Sequence, residues 1–302
     1  MFMQNNSVEK KKIYLLYNPK SGKEKIKDSL GDIIEIFSRA GFELTVYPTS
    51  YAGEATEIVE NLPQMYDLVV CCGGDGTLNE VVAGNLRRER IFRLGYIPCG
   101  STNDFGNTIY EDTSMLKAVY RIAKEELHLV DCGRLQDKSF VYAAAFGLFT
   151  DISYETPHSK KAALGHAAYL IEAVKNLGNI KVNKVKAVID GSEVIEGDFL
   201  IGMVTNADSI GGFQNIAGKD VSLQDGELEL TMIAKPKLPG RYRKILQALL
   251  DGSENKYVIR RKVKNVEFFF KEPTSFTLDG EYGGTYGKAH IECLPEAIPL
   301  IY

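Results

Sequence analysis

The chain has 302 residues, 44% of them hydrophobic and 25% charged, with 28 Gly and 10 Pro; these proportions exclude collagen-like, coiled-coil and wholly disordered chains. A single hydrophobic core stops growing near ~250–300 residues, so two domains are expected. Thirty-six Lys+Arg against 40 Asp+Glu leave a net charge of −4, which excludes a dedicated nucleic-acid binder with its strongly basic domain but leaves room for a local basic patch.

Five cysteines (Cys71, Cys72, Cys99, Cys132 and Cys293) make an odd number without a CxxC pair. That pattern reads as reduced thiols of a cytoplasmic protein. Residues 1–12 are polar and then basic with no apolar stretch behind them, so no secretory leader is expected. No apolar run approaches the ~18 residues of a membrane span. A soluble, cytoplasmic protein is expected, one that can still touch a membrane.

In chain order, residues 13–17 read as a strand ending at Asn18-Pro19. Leu30, Ile33, Ile34 and Phe37 follow at i, i+3, i+4, i+7, an amphipathic helix closing at Ala40-Gly41. Residues 44–47 read as a strand and 54–61 as a helix. Residues 68–72 are continuously apolar, as in a strand buried on both faces. A Gly-rich turn leads to a helix over 78–88, a strand over 94–97 and a helix over 114–123. Strands alternating with helices imply a mostly parallel sheet, Rossmann-like, covered on both sides.

Beyond about Cys132 the pattern changes. Val185, Ala187 and Ile189 alternate with Lys184, Lys186 and Val188, and Asp190-Gly191 supplies a hairpin turn. Further strands are expected over 199–205, 227–233, 263–270 and 275–278, with helices over 162–176 and 242–250. The second half is therefore expected to be mostly antiparallel β, a sandwich, over residues 134–290. The first domain would cover 1–133, with 291–302 free to return to it.

The stretch Cys71-Cys72-Gly73-Gly74-Asp75-Gly76-Thr77-Leu78-Asn79-Glu80 follows the buried strand and opens a helix. Glycines let backbone N–H groups approach phosphate oxygens, and the helix N-terminus adds partial positive charge. Asp75 is a poor direct phosphate ligand and suits a Mg²⁺ bridge better. A tight turn with Thr77 as N-cap is the plainer alternative. Asn18-Pro19-Lys20-Ser21-Gly22 also joins a strand to a helix; it is no Walker A loop, since Tyr17 stands where that motif needs Gly. Pro98-Cys99-Gly100-Ser101-Thr102-Asn103-Asp104-Phe105-Gly106 follows the 94–97 strand. In a parallel sheet all three loops leave the carboxyl ends of strands, where α/β proteins build their ligand crevice.

NPKSG, GGDGTLNEV and IPCGSTNDFG, in that order, resemble the diacylglycerol kinase catalytic-domain family, which includes bacterial soluble lipid kinases and sphingosine kinases. Gly211-Gly212-Phe213 with Asp225-Gly226-Glu227-Leu228, and Leu278-Asp279-Gly280-Glu281, resemble its later segments. NAD kinases and phosphofructokinases share a GGDGT-like loop, so the combination is what discriminates. The resemblance implies a two-domain lipid kinase moving the γ-phosphate of ATP to a lipid hydroxyl, diacylglycerol-like in the first instance. It implies nucleotide contacts at Asn18, Pro19, Lys20, Ser21, Gly22, Thr49, Gly73, Gly74, Asp75, Gly76, Thr77 and Ser101. Glu281 matches the proton acceptor, with Asp75 and Asp104 as further catalytic carboxylates. A structural Mg²⁺ would fall on Ser222, Asp225 and Glu227. Asn107 stands where the family often has Arg or Lys. An NAD kinase, another small-molecule kinase of this fold, and a non-catalytic nucleotide-binding regulator are the alternatives.

Four histidines (His128, His158, His166 and His290) lack metal spacing, and no GxSxG is present, which disfavours a hydrolase. Lysines cluster at Lys20, Lys23, Lys25 and Lys27. Basic residues recur at Lys235, Lys237, Arg241, Arg243 and Lys244. Such runs are usually solvated faces; for a lipid kinase they also suit anionic headgroups. Residues 143–149 form an apolar run that suits core packing or an acyl slot. The expected partner is a lipid substrate at a membrane surface, without nucleic acid, and a homodimer is admitted.

Overall fold

The computed structural model describes residues 10–24, 26–147, 181–211, 213–214, 216–218 and 220–302. The helix expected over 162–176, His158, His166, Lys25, Gly212 and residues 148–149 lie outside them. The chain divides into two units. The first holds the described residues up to Ser101, with Tyr110–His128 and Pro299–Tyr302; the second holds Thr102–Ile109 and the described residues from Leu129 to Ile298.

The first unit is a parallel α/β sheet. β1 (Lys11–Tyr17) leads through α1 (Ile26–Arg39) to β2 (Phe42–Pro48), and α2 (Glu54–Asn61) leads to β3 (Leu68–Gly73). α3 (Asp75–Leu86) and β4 (Arg93–Pro98) follow. β1 pairs in parallel with both β2 and β3, and β3 with β4. α4 (Asp104–Ile109) belongs to the second unit, and α5 (Met115–Ile122) returns to the first. Ile26, Ile33 and Phe37 of α1 pack with Val119 and Ile122 of α5 against Ile13, Leu15, Leu68 and Val70. Successive strand side chains alternate faces, so the fully buried Leu16, Val69 and Cys71 show that the opposite face is covered too.

The second unit is antiparallel β. β5 (Leu127–Leu135), β6 (Lys138–Phe140) and β7 (Ala143–Gly147) come first, then β8 (Asn183–Ile189) and β9 (Glu193–Thr205). The short β10 (Ser209–Ile210) and β11 (Phe213–Gln214) precede β12 (Leu228–Ala234), α6 (Tyr242–Asp251) and β13 (Val258–Val263). β14 (Asn265–Leu278) and β15 (Glu281–Ile301) close the chain. β8 and β9 form the expected hairpin, with positive φ at both Asp190 and Gly191, as a type I′ turn requires. The core is Phe146, Phe268 and Phe276 in edge-to-face contact, with Leu228, Leu230, Met232 and Ile291 around them. Ala144 and Phe146 are core residues, which gives the described part of the 143–149 run a packing role.

Two expectations need correction. The strands expected over 263–270 and 275–278 are one strand, β14, whose register with β15 breaks between Phe269 and Thr274. Pro273 lies in that break and lacks the N–H a ladder needs. β15 is a 21-residue strand that periodicity does not announce; Gly283, Gly284, Gly287 and Pro295 interrupt its alternation. Its last residues pair in parallel with β4, Leu300 opposite Leu94. All five cysteines are free thiols. Among the described residues no helix is long and apolar enough to cross a membrane.

Candidate active site

In the first unit, β1 connects outward to β2 and β3 connects the other way to β4. The crevice beyond the carboxyl ends of β1 and β3 is therefore a topological switch point, where open α/β sheets take ligands. All three expected loops meet there. The Asn18 N–H donates to the Cys72 carbonyl at 3.0 Å, and Asn18 Nδ2 donates to Thr77 Oγ1 at 3.3 Å. Asn18 Oδ1 accepts from the Lys20 N–H at 2.9 Å, and its carbonyl accepts from the Ser21 N–H at 3.1 Å, so Pro19, Lys20 and Ser21 form a tight turn. Gly22 sits at φ +56°, and a Cβ there would lie 1.9 Å from the Cys99 carbonyl oxygen. The Cys99 N–H donates to the Gly73 carbonyl at 2.9 Å. Gly73 can bear no side chain, since a Cβ would stand 2.5 Å from that of Thr77. Thr49 joins the edge of this group through its N–H to the Tyr17 carbonyl at 2.9 Å. Ser101 is exposed beside Gly100.

Gly76 differs from its neighbours. It stands in the first turn of α3, and beyond its chain neighbours and its own helix backbone no described atom lies within 4 Å of the position a Cβ would take. A glycine in a helix costs about 1 kcal/mol relative to alanine, and the fold of this unit asks for none here. An open glycine in a helix start suits close approach by phosphate oxygens. Asp75 stands beside it as the first residue of α3. Burial, then Cys99, Glu80 and Asp75, push the Cys71 thiol up.

Glu80 is a site-shaping residue that the motif contains but turn chemistry does not single out. Its carboxylate accepts from the N–H groups of Gly53 at 2.8 Å and Ala55 at 3.3 Å, capping α2. Its signal in the sequence is only its place at the end of GGDGTLNE.

In the second unit, Asp104 is buried, accepting from Ser209 Oγ at 2.9 Å and the Gly211 N–H at 2.8 Å. Asn107 Nδ2 donates to the Thr102 carbonyl at 3.0 Å. Asp279 and Gly280 both have positive φ, a type I′ turn between β14 and β15. The buried Asp279 carboxylate accepts from the N–H groups of Val141, Tyr142 and Ala143 at 2.7, 3.0 and 2.9 Å. Glu281, two residues on, is exposed. One carboxylate is locked and the next is available.

The expected cation residues lie on the segment before β12. Asp225 Oδ2 pairs with Lys262 Nζ at 2.5 Å, and Oδ1 accepts from the Glu227 N–H at 3.2 Å. Ser222 Oγ accepts from the Gln224 N–H at 3.4 Å. Asp131, fully buried, holds Gly226 and Glu296 through their N–H groups, each at 2.8 Å. Among the described residues no three ligating side chains converge on one point. Yet both carboxylate oxygens of buried Glu229 lack a hydrogen-bond partner among the described residues. Burial pushes its pKa up to about 8, with Lys262 opposing and Asp225 adding to the shift. A cation held by Asp225 and carbonyl oxygens would compete with Lys262 for the Asp225 carboxylate. The described histidines are elsewhere: His128 stacks on Tyr302 at 4.1 Å, and His290 lies in β15.

Switch-point loops that meet at an open glycine in a helix start suit a protein that binds phosphate groups. The family comparison is more specific. The diacylglycerol kinase catalytic domain model matches residues 12–135, and the YegS C-terminal NAD kinase beta sandwich-like domain model matches 150–302. A diacylglycerol kinase of Staphylococcus saprophyticus is 34% identical over 292 residues, 94% of this chain and 95% of that protein. A diacylglycerol kinase of Bacillus subtilis is 32% identical over 277 residues, 91% of each. A crystal structure from Bacillus anthracis, provisionally described as a diacylglycerol kinase, matches with a TM-score of 0.85 at 26% identity, covering 100% of this chain and 98% of that one. The chain belongs to the diacylglycerol kinase family and is an ATP-dependent lipid kinase with an α/β domain and a β-sandwich-like domain.

Proposed function

We propose that this chain transfers the γ-phosphoryl group of ATP to the hydroxyl of a diacylglycerol-like lipid. The observation that carries the nucleotide half is Gly76, an unshielded glycine opening α3 where the loops after β1, β3 and β4 meet. Asn18 to Gly22, Thr49, Gly73 to Thr77 and Ser101 would hold the phosphates and nucleoside. Phosphoryl transfer asks the protein for in-line positioning, charge neutralisation and a proton acceptor. Asp75 would hold a Mg²⁺, which neutralises phosphate charge when bound. Glu281 accepts the hydroxyl proton as the P–O bond forms, since an alcohol is too weak an acid to be deprotonated beforehand. Asp104, buried on Ser209 and Gly211, acts by holding β10 in place rather than by touching substrate. Asp225, with the carbonyls of Ser222 and Glu227, would hold a second, structural Mg²⁺. Nucleotide falls to the α/β domain and lipid to the β-rich domain. The enzyme works from the cytoplasmic side by transient contact with the bilayer that supplies its substrate.

The test is incubation of the purified chain with γ-labelled ATP, Mg²⁺ and diacylglycerol in mixed micelles, followed by organic extraction. Label in a lipid phosphate is expected. Label confined to free phosphate, or to NAD when NAD is added beside the lipid, would overturn the reading.

A further inference from the structure

Residues 235–244 (Lys-Pro-Lys-Leu-Pro-Gly-Arg-Tyr-Arg-Lys) join β12 to α6 and carry five cations and no acid, in a chain of net charge −4. No carboxylate follows until Asp251. Lys235, Lys237, Arg243 and Lys244 are exposed. Among the described residues none of the five cations enters an ion pair. Between them stands Leu238, 61% exposed, the most exposed large apolar side chain among the described residues.

The segment is built, not a trailing loop. The Lys235 N–H donates to the Asp198 carbonyl at 2.9 Å, Pro236 is buried, and a 3₁₀ turn spans Pro239–Arg241. On the far side Ile245, Ala248 and Leu249 anchor α6 in an apolar cluster, and Arg260 Nη2 donates to the Ala248 carbonyl at 3.2 Å. The charges also oppose their own helix. α6 has no acid in its first turn, no side-chain cap at Arg241, and Arg243 and Lys244 at its positive end. Cations there are disfavoured by the helix dipole, and no side chain of the N-cap residue offsets that end. Phosphate groups arriving from outside would answer both.

We propose that residues 235–244 are a docking surface for an anionic phospholipid bilayer, with Leu238 entering the headgroup boundary and the five cations on headgroup phosphates. The proposal rests on the lipid-kinase reading only for the need to reach a bilayer. A nucleic acid or a free polyanion would also engage the cations, but neither rewards burial of Leu238. That residue decides for the bilayer.

The test is flotation of the full chain with vesicles of phosphatidylcholine alone or mixed with phosphatidylglycerol. Wild type should bind the anionic vesicles and release them at high salt. Each cation at an anionic surface is worth about a fivefold factor, so Lys235→Glu, Lys237→Glu and Arg243→Glu together should lower partitioning by ~100-fold or more. Leu238→Asn should lower it by ~10-fold at every salt concentration, since the apolar contribution is not screened. Both variants should keep the wild-type melting temperature and turnover of a short-chain, water-soluble diacylglycerol. A charge-reversed variant that still floats like wild type would overturn the proposal. So would an unchanged Leu238→Asn variant whose parent is displaced from vesicles by a single-stranded oligonucleotide. Wild type that floats without turning over the short-chain lipid would leave the docking surface standing and remove the substrate assignment instead.

Discussion

Asp75 and Glu281 ask different things of their surroundings, and substitution should separate them. Asp75→Asn removes the charge that links metal to phosphate while keeping the side chain's shape. The expected result is an unchanged melting temperature with kcat/KM down at least ~100-fold, about 2.7 kcal/mol of transition-state stabilisation. A variant within tenfold of wild type would remove Asp75 from the mechanism. Glu281→Gln keeps size and hydrogen bonding but loses the basic lone pair. Its kcat should fall by roughly 10²–10⁴ while ATP affinity stays close to wild type. If nucleotide binding weakens in parallel, Glu281 serves the metal rather than the proton. Asp279 makes the contrast plain: three backbone N–H groups hold its carboxylate, so its role is to shape the turn that presents Glu281.

Among the elements, α2 shows how carboxylates set a boundary. Glu54, its first residue, accepts from the Ser50 N–H and from Tyr47 Oη, the latter at 3.0 Å. The Ser50 N–H, with Tyr47 and Tyr51 assisting, holds this carboxyl below its ordinary value of 4.5. A folded-state pKa that is lowered contributes stability above the unfolded value and loses it as pH falls through the folded one. Glu54→Gln should therefore lower the urea midpoint at neutral pH, with the gap to wild type closing progressively below about pH 4.5. A gap that persists undiminished to about pH 3 would show that Glu54 acts through packing alone. The same helix start depends on Glu80, whose two acceptor contacts tie Gly53 and Ala55 to the second turn of α3. Local sequence signals place α2 between 54 and 61, where it is found. They say nothing of the Glu80 cap, because its partners lie 25 and 27 positions away.

Across the second unit, stability is tied to charge around Asp225. If a cation sits on Asp225 and neighbouring carbonyls, binding to the folded state alone stabilises it by mass action. Wild type should melt several degrees lower in chelator than in millimolar Mg²⁺, and Asp225→Ala should melt at the same temperature in both. Equal sensitivity in the two proteins would leave Lys262 as the permanent counter-charge and remove the metal.

What the amino-acid order alone determined is whatever contiguous residues encode. The alternation of apolar runs with amphipathic helices specified the parallel α/β half, and the glycine-bearing turns after β1, β3 and β4 pointed to the candidate site, because turn and helix-start chemistry acts over a few neighbouring residues. The Asp-Gly hairpin at 190 was legible for the same reason. Only the tertiary structure decided that β14 runs unbroken past Pro273, that β15 is a 21-residue strand, and that its end completes the parallel sheet beside β4. A strand so rich in glycine has little preference of its own and takes its conformation from partners far along the chain. The carboxylates divide on the same line. Glu281 was recognisable from its motif, but Asp104 and Asp279 acquire their buried, fully engaged state from donors 105 and 138 positions away, and no local pattern carries hydrogen bonds of that reach.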